Sequence, residues 1–317
     1  VAKLKVLLHY IIYPLSMGTY FRRALERRDD VDLKVFGTFT GSFIPWRGGM
    51  NVPQKYVNPP DIPSPYPLAM PIVADYDYVK TQLGDWKPDL IITADAGSHW
   101  RSKPSDGFIA HIATDPHVLN YDKQRKDSDK FFNMQKVYSQ AGDIYLPYAY
   151  DPTVHYHEPE TQKEYDVCLI GLEYQHRVEL VNKLRSLGLK VYFNNGEIFD
   201  EYQHINNQAH IGLNWSSLDD LNARAFESPM MNIPVMNTVT DMQLPEHHYF
   251  DYAYLFPCDN RMGDKSGFVN GAVEKIKYVM DNLEQAKIQA EEMRKLMKNE
   301  TYDNRISFIL KECGFDA

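Results

Sequence analysis

"LNARAFESPMMNIPVMN", Leu221–Asn237, is the stretch on which the reading of this chain turns. Arg224 and Glu227 stand three apart, which puts them on one face of any helix formed there. Pro229 has no backbone N–H and clashes with the preceding turn, so that helix must kink or stop. Asp220 or Asn222 has the side chain for its N-cap. Asn232 falls at the turn into an apolar run, Ile233–Asn237, and asparagine is among the few non-glycine residues that tolerate positive φ. The segment predicts a two-turn helix, a break and a buried strand, with an Arg–Glu pair at the strand's mouth. A helix N-terminus attracts anions such as diphosphate, and Arg224 adds a planar donor fork. Glu227, ionised, can accept two hydrogen bonds from a vicinal diol such as that of ribose, each worth about 1.5–3 kcal/mol when shielded from water. The same spacing also fits an i,i+3 surface ion pair.

Working outward, the flanking sequence alternates apolar runs with amphipathic ones. "DVCLIG" reads as a strand, "HRVELVNKLRSLG" as a helix closed by Gly188, "LKVYFNNG" and "HIGLNWSS" as further strands. A long helical tail is predicted from about Asn270 to Lys298, followed by a last short helix. The amino-terminal half repeats the rhythm: Lys5–Tyr10 as a buried strand, "GTYFRRALERRDD" as a helix, "VDLKVFG", "KPDLIITADA" and "GFIAHIATDPH" as strands. Residues 41 to 74, rich in proline, read as a long surface excursion. This β-α-β pattern implies α/β architecture with parallel sheets covered on both faces. The expected organisation is two Rossmann-like doubly wound domains, 1–158 and 159–299, with a helix over 300–317 that can pack back on the first. In such sheets ligands bind beyond the carboxyl ends of the strands, and with two domains the expected site is the cleft between them.

Composition narrows the class. With 44% hydrophobic and 13% aromatic residues the chain can build real cores and is not disordered. A net charge of −9 provides no overall positive field for nucleic acid or anionic lipid. No run approaches the roughly 18 apolar residues of a membrane span. The first twenty residues read as a strand and not as a signal peptide. Cys168, Cys258 and Cys313, widely spaced and odd in number, fit free thiols. These features predict a soluble, cytoplasmic protein.

Candidate site residues outside the opening stretch lie in the first half. Asp115 and His117 follow the strand Phe108–Ala113, with Pro116 stiffening the turn between them. A histidine there can hydrogen-bond a substrate or move a proton, and an aspartate can activate a hydroxyl. Asp115 could equally cap the next helix, with His117 on the surface. Gly18, after the first strand, permits close backbone approach to a ligand or simply starts a helix. "DYD" (Asp75, Asp77) and "DSD" (Asp127, Asp129) read as helix-start acids in preference to a metal triplet. "HYH" (His155, His157) and "HH" (His247, His248) lack Cys or acidic partners at ligand spacing and read as loop residues. "FRRALERR" forms a basic helix face, solvated or touching anions.

The opening stretch resembles the "N-x-R-x-F-E-I-P-A-x-G" segment of glycosyltransferases related to spore maturation protein CgeB, within the wider glycosyltransferase group 1 superfamily. "YDVCLIGLEYQHRVELVNKL", "AHIGLNWSS" and "TYDNRISFIL" resemble that family's second domain, and "HIATDPH" and "LPYAYDPTVHY" its first, in the expected order. The resemblance covers most of residues 105 to 310 and implies the two-Rossmann-domain (GT-B) fold. It implies a nucleotide-diphosphate sugar donor held mainly by the second domain and a hexosyl- or pentosyltransfer reaction to an acceptor hydroxyl. Glu227 matches the ribose-binding glutamate. Arg177 and Arg224 match positions facing the diphosphate, with Gly171 and Asn222 beside them. Asp219 stands where retaining relatives carry an acidic residue, and Asn232 replaces the family's glycine.

Retention, with the leaving phosphate taking the acceptor's proton, is the mechanism the motif implies; for inversion Asp115 is the first candidate base. No metal or other cofactor is expected. The acceptor, unidentified, could be a glycan, a small molecule, a protein or a modified nucleobase. Two alternatives share the scaffold: a sugar-nucleotide epimerase, and a non-catalytic nucleotide-sugar-binding protein.

Overall fold

The computed structural model describes residues 2–44, 49–66, 72–94, 98–259, 263 and 265–315. It divides into two compact units, 1–147 with 302–317, and 148–301. The sequence pattern placed the join near residue 158. The segment 148–158 belongs with the second unit because it is fastened there: Tyr150 N donates to Glu300 O, and Asn207 Nδ2 donates to Tyr156 O.

The first unit contains β1 (Leu4–His9), β2 (Val31–Gly37), β3 (Phe43–Ile44), β4 (Met50–Asn51), β5 (Ile62–Pro63) and β6 (Ile72–Ala74). These are followed by β7 (Leu90–Ala94), β8 (Ser98–Trp100), β9 (Phe108–Ala113), β10 (Lys130–Asn133) and β11 (Ile144–Tyr145). Seven form one parallel sheet in the order β11-β10-β9-β7-β1-β2-β5. Its helices are α1 (Met17–Glu26), α2 (Tyr76–Leu83), α3 (Asp122–Asp127) and the carboxyl-terminal α9 (Tyr302–Glu312), which packs on α1. β1 and β7 are near-continuous apolar runs because both faces of the sheet are covered.

Two expectations change here. The excursion after residue 41 is not all surface loop: β5 adds an edge strand to the sheet, and Asp61 Oδ2 accepts Val35 N–H at 2.8 Å. An edge is where a proline such as Pro63 is tolerated. Asp95 and Ala96, the expected polar end of the "KPDLIITADA" strand, lie outside the described residues. The basic face of "FRRALERR" is largely consumed within its own unit. Arg22 pairs with Glu26 and donates to the carbonyls of Asn58 and Pro59; Arg27 holds Asp303 with two bonds; Arg28 pairs with Asp30.

The second unit carries β12 (Tyr165–Ile170), β13 (Val191–Asn194), β14 (Ala209–Asn214), β15 (Ile233–Asn237) and β16 (Tyr254–Phe256). They form a parallel sheet in the order β13-β12-β14-β15-β16. Around it lie α4 (Gln175–Ser186), α5 (Phe199–Asn207), α6 (Arg224–Glu227), α7 (Val269–Asp281) and α8 (Leu283–Met297). One core packs Val167, Leu169, Ile211, Leu213 and Val235 against Leu180, Leu184, Ile276 and Val279. The expected single helical tail is two helices. Asn282 breaks it with φ −122° and ψ 36°, its side chain donating to Tyr278 O at 2.8 Å.

The acids of "DYD" and "DSD" do structural work: Asp75 caps α2 through Asp77 N and pairs with Arg101, and Asp129 accepts Ile109 N–H. All three cysteines are free. Among the described residues no helix is long and apolar enough to cross a membrane.

Candidate functional site

The carboxyl ends of β12, β14 and β15 bring together five of the residues singled out from the sequence. At the end of β12 the chain turns through Gly171, whose φ of +151° favours glycine. A Cβ at Gly171 would collide with Arg224 Nη1 and crowd Arg177 Nη1, so the bare backbone is what lets two guanidiniums close on this turn. Arg224 Nη1 donates to Ile170 O, the last carbonyl of β12. Arg177, 2% exposed, comes from the first turn of α4. It donates to Leu172 O at 3.1 Å and to Trp215 O, and its guanidinium lies 4.9 Å from the Tyr174 ring centre. Two cations thus sit on one sheet edge, held in place by main-chain carbonyls.

The loop after β14 is fixed by an amide ladder. Asn222 Nδ2 donates to Asn214 Oδ1 at 3.2 Å and to Ser216 Oγ at 2.6 Å, while Ser216 N donates to Asn237 Oδ1 at 2.7 Å. The expected cap by Asp220 or Asn222 does not form. Ala223 occupies the N-cap and offers no side-chain bond, because Asn222 is committed to this ladder and Asp220 accepts Leu218 N–H. The helix carrying the pair is also shorter than expected. α6 is a single turn, followed by a 3-10 turn over Ser228–Met230 in which Pro229 enforces the change. A four-residue helix presents little dipole, so the positive charge at this turn comes from the two guanidiniums.

Asn232 departs from expectation as well. It does not adopt positive φ; among the described non-glycine residues only Phe199, at 49°, does. Asn232 is instead 3% exposed and used through its side chain. Oδ1 accepts Ser228 Oγ–H at 2.8 Å, and Nδ2 donates to the backbone and side-chain oxygens of Asn206 at 3.2 and 3.0 Å. The amide and Ser228 fill the space over Gly212, where any side chain would collide with both.

Glu227 is 6% exposed. Burial pushes its carboxyl up to about 7, against the opposing pull of Arg224 and a hydrogen bond from Tyr202. His155 Nε2 lies 3.8 Å from its Oε1. Sequence reasoning passed over Tyr202 and read His155 as a loop residue. Tyr202 comes from α5, just after the strained Phe199, and His155 from the segment that enters the second unit. Both histidines of "HYH" brace the motif: His157 Nδ1 bonds Met231 O at 3.0 Å, at the turn into β15.

Four candidates lie elsewhere. Asp219 spends both oxygens on Thr240, at 2.7 Å to its N–H and 2.5 Å to its hydroxyl. In the first unit Asp115 accepts Thr114 Oγ–H at 2.9 Å beyond β9, and its carbonyl takes the N–H groups of Val118 and Leu119. His117 stands 5.9 Å from the Tyr138 ring, and burial holds its pKa below the usual histidine value despite the nearby Asp115. Gly18, the second residue of α1, faces the Tyr10 ring, which occupies the space a Cβ would need. Among the described residues no group of three or more His, Cys, Asp or Glu is placed to hold a metal ion.

No protein-family model and no curated protein matches the chain. Solved structures do. The HepE protein of Anabaena in complex with UDP-glucose is similar over 98% of this chain and 100% of its own, at 11% identity and a TM-score of 0.62. An alpha-glucosyltransferase in complex with UDP-glucose and DNA containing an abasic site is similar over 99% of each chain, at 10% identity and a TM-score of 0.60. A putative UDP-N-acetylglucosamine 2-epimerase from Listeria monocytogenes is similar over 98% of this chain and 95% of its own, at 11% identity and a TM-score of 0.54. The chain has the fold of the two-Rossmann-domain, GT-B glycosyltransferases.

Proposed function

We propose that this protein is a glycosyltransferase that binds a nucleotide-diphosphate sugar on its second unit and transfers the sugar to an acceptor hydroxyl. The observation that carries the reading is the closing of Arg177 and Arg224 on the Gly171 turn, with the buried Glu227 at the other end of Arg224's own helical turn and within reach of its charge. The guanidiniums suit a diphosphate and meet the charge that develops on it as the glycosidic bond breaks. Glu227 suits the ribose diol: two hydroxyl donors favour the ionised carboxylate that burial alone disfavours. UDP is the first nucleotide to test, because the HepE and alpha-glucosyltransferase structures hold UDP-glucose.

The finer reading is transfer with retention and without a metal cofactor, the leaving diphosphate taking the acceptor's proton on the same face of the sugar. Asp115 and His117 serve the acceptor side. His117, with its pKa lowered by burial, is neutral at pH 7 and able to accept a proton. Asp219, already engaged with Thr240, acts by shaping the loop before α6.

Thermal shift with UDP, GDP, ADP and dTDP tests the donor site. One of them raises Tm, and Glu227→Ala removes most of the rise. No shift with any of the four, measured across pH 6 to 8.5, counts against the reading. The anomeric configuration of the product, followed by NMR, decides between retention and inversion. The epimerase reading has the fold likeness behind it. It requires conversion of UDP-N-acetylglucosamine with no acceptor present, which a transferase does not perform.

A further inference from the structure

We propose that His155 is a positioning residue that orients the Glu227 carboxylate toward a sugar diol through a neutral Nε2–H. This rests on the reading of Glu227 as the donor's ribose ligand. Three groups face that carboxyl: Arg224 from its own turn, Tyr202 from α5, and His155 from the segment that opens the second unit. His155 is fully buried, and its orientation is set from behind. Asp151 N donates to His155 Nδ1 at 3.0 Å, and Asp151 in turn is fastened by Thr153 N and Thr153 Oγ1 on its Oδ1, at 3.0 and 2.8 Å. A ring nitrogen that accepts an N–H carries no proton of its own, so the neutral ring holds its proton on Nε2. That nitrogen lies 3.8 Å from Glu227 Oε1. The Tyr202 ring meets the His155 ring edge-on, with centres 5.8 Å apart, which fixes the imidazole plane. The separation is longer than a hydrogen bond, and ribose contact at the other carboxylate oxygen draws the pair together.

A group that donates to a carboxylate favours its ionised form, so removing His155 makes Glu227 harder to ionise and moves the pH dependence of donor binding upward. A ring that merely filled space would leave that dependence where it is.

Isothermal titration of the full chain with UDP, from pH 6 to 8.5, compares the wild type with His155→Gln, His155→Asn, His155→Phe and Glu227→Gln. Ratios of affinity between proteins cancel the nucleotide's own titration. His155→Gln places an amide N–H near Nε2 and is expected to bind within about threefold of wild type. His155→Phe and His155→Asn, which cannot donate there, are expected to lose tenfold or more at pH 7, with the midpoint moved up by about one pH unit. Glu227→Gln loses the wild-type midpoint altogether. Should His155→Phe not fold, the Gln and Asn pair carries the comparison. Equal affinity and midpoint in wild type and the non-donating variants, or equal damage in Gln and Asn, overturns the proposal while leaving the donor site standing. Failure of the wild type to bind UDP, GDP, ADP or dTDP at any pH removes both.

Discussion

Arg224 reaches back to the last carbonyl of β12 across the space left by Gly171. The glycine and the arginine are 53 positions apart in the chain, yet each defines the other: a side chain on one displaces the guanidinium of the other. Gly171→Ala is therefore expected to combine backbone strain, about 1–3 kcal/mol for a residue held in such a conformation, with loss of the cation's position. The Tm falls by several degrees and UDP affinity drops tenfold or more, both read in one calorimetric series. Wild-type affinity in a folded Gly171→Ala protein would separate Arg224 from diphosphate binding.

Glu227 makes the free protein's stability depend on pH. Its carboxyl is raised from an ordinary 4.5 to about 7 in the folded state, so between these values the unfolded chain binds fewer protons than the folded one. The raised group thus costs stability progressively as pH climbs from about 4.5 to 7, and the cost is complete above. Glu227→Gln removes the dependence and is expected to stabilise the ligand-free chain at pH 8 by on the order of 2–3 kcal/mol, with no gain at pH 4. Urea titrations at the two pH values measure it; a gain of the same size at both would refute the assignment.

Asn232 is expected to be costly to remove although it stands on no surface. Asn232→Gly strips partners from Asn206 and from Ser228, all buried, and opens the space over Gly212. About 2–4 kcal/mol of stability is lost in chemical denaturation. A loss below 0.5 kcal/mol would show that water takes over the network.

Asp219→Ala distinguishes a structural aspartate from one at the reacting sugar. Loss of both bonds to Thr240 is expected to lower stability by about 0.5–2 kcal/mol, the range for capping side chains, while UDP affinity changes by less than threefold. A fall in turnover of a hundredfold or more with unchanged stability would place Asp219 at the chemistry instead.

Much of the architecture is written locally. Apolar runs such as Val167–Ile170 and Ile211–Leu213 alternate with helical periods, and that alternation admits little besides parallel sheets covered by helices. Pro229 likewise forces a break wherever the preceding turn is helical, and the strand Phe108–Ala113 is bounded in the structure as its composition predicts. Turn chemistry was less legible. Asn222 and Asn232 have side chains suited to a cap and to positive φ, but Asn222 bonds back to Ser216 and Asn232 reaches Asn206, 26 positions away, and these bonds outweigh the local preference.

By itself the chain's order of residues determined the central strands, most of the helices that cover them, their parallel pairing and the Arg–Glu spacing before β15, because these follow from period, proline and short-range sterics; the edge strand β5, the break at Asn282 and the single-turn length of α6 did not follow from it. Only tertiary structure decided that Glu227 would be buried beside His155 and Tyr202, and that Arg177 and Arg224 would share one glycine turn. Those meetings depend on the strand order β13-β12-β14-β15-β16, which brings residues 25 to 72 positions apart to one place, and burial there sets a charge that no local pattern encodes.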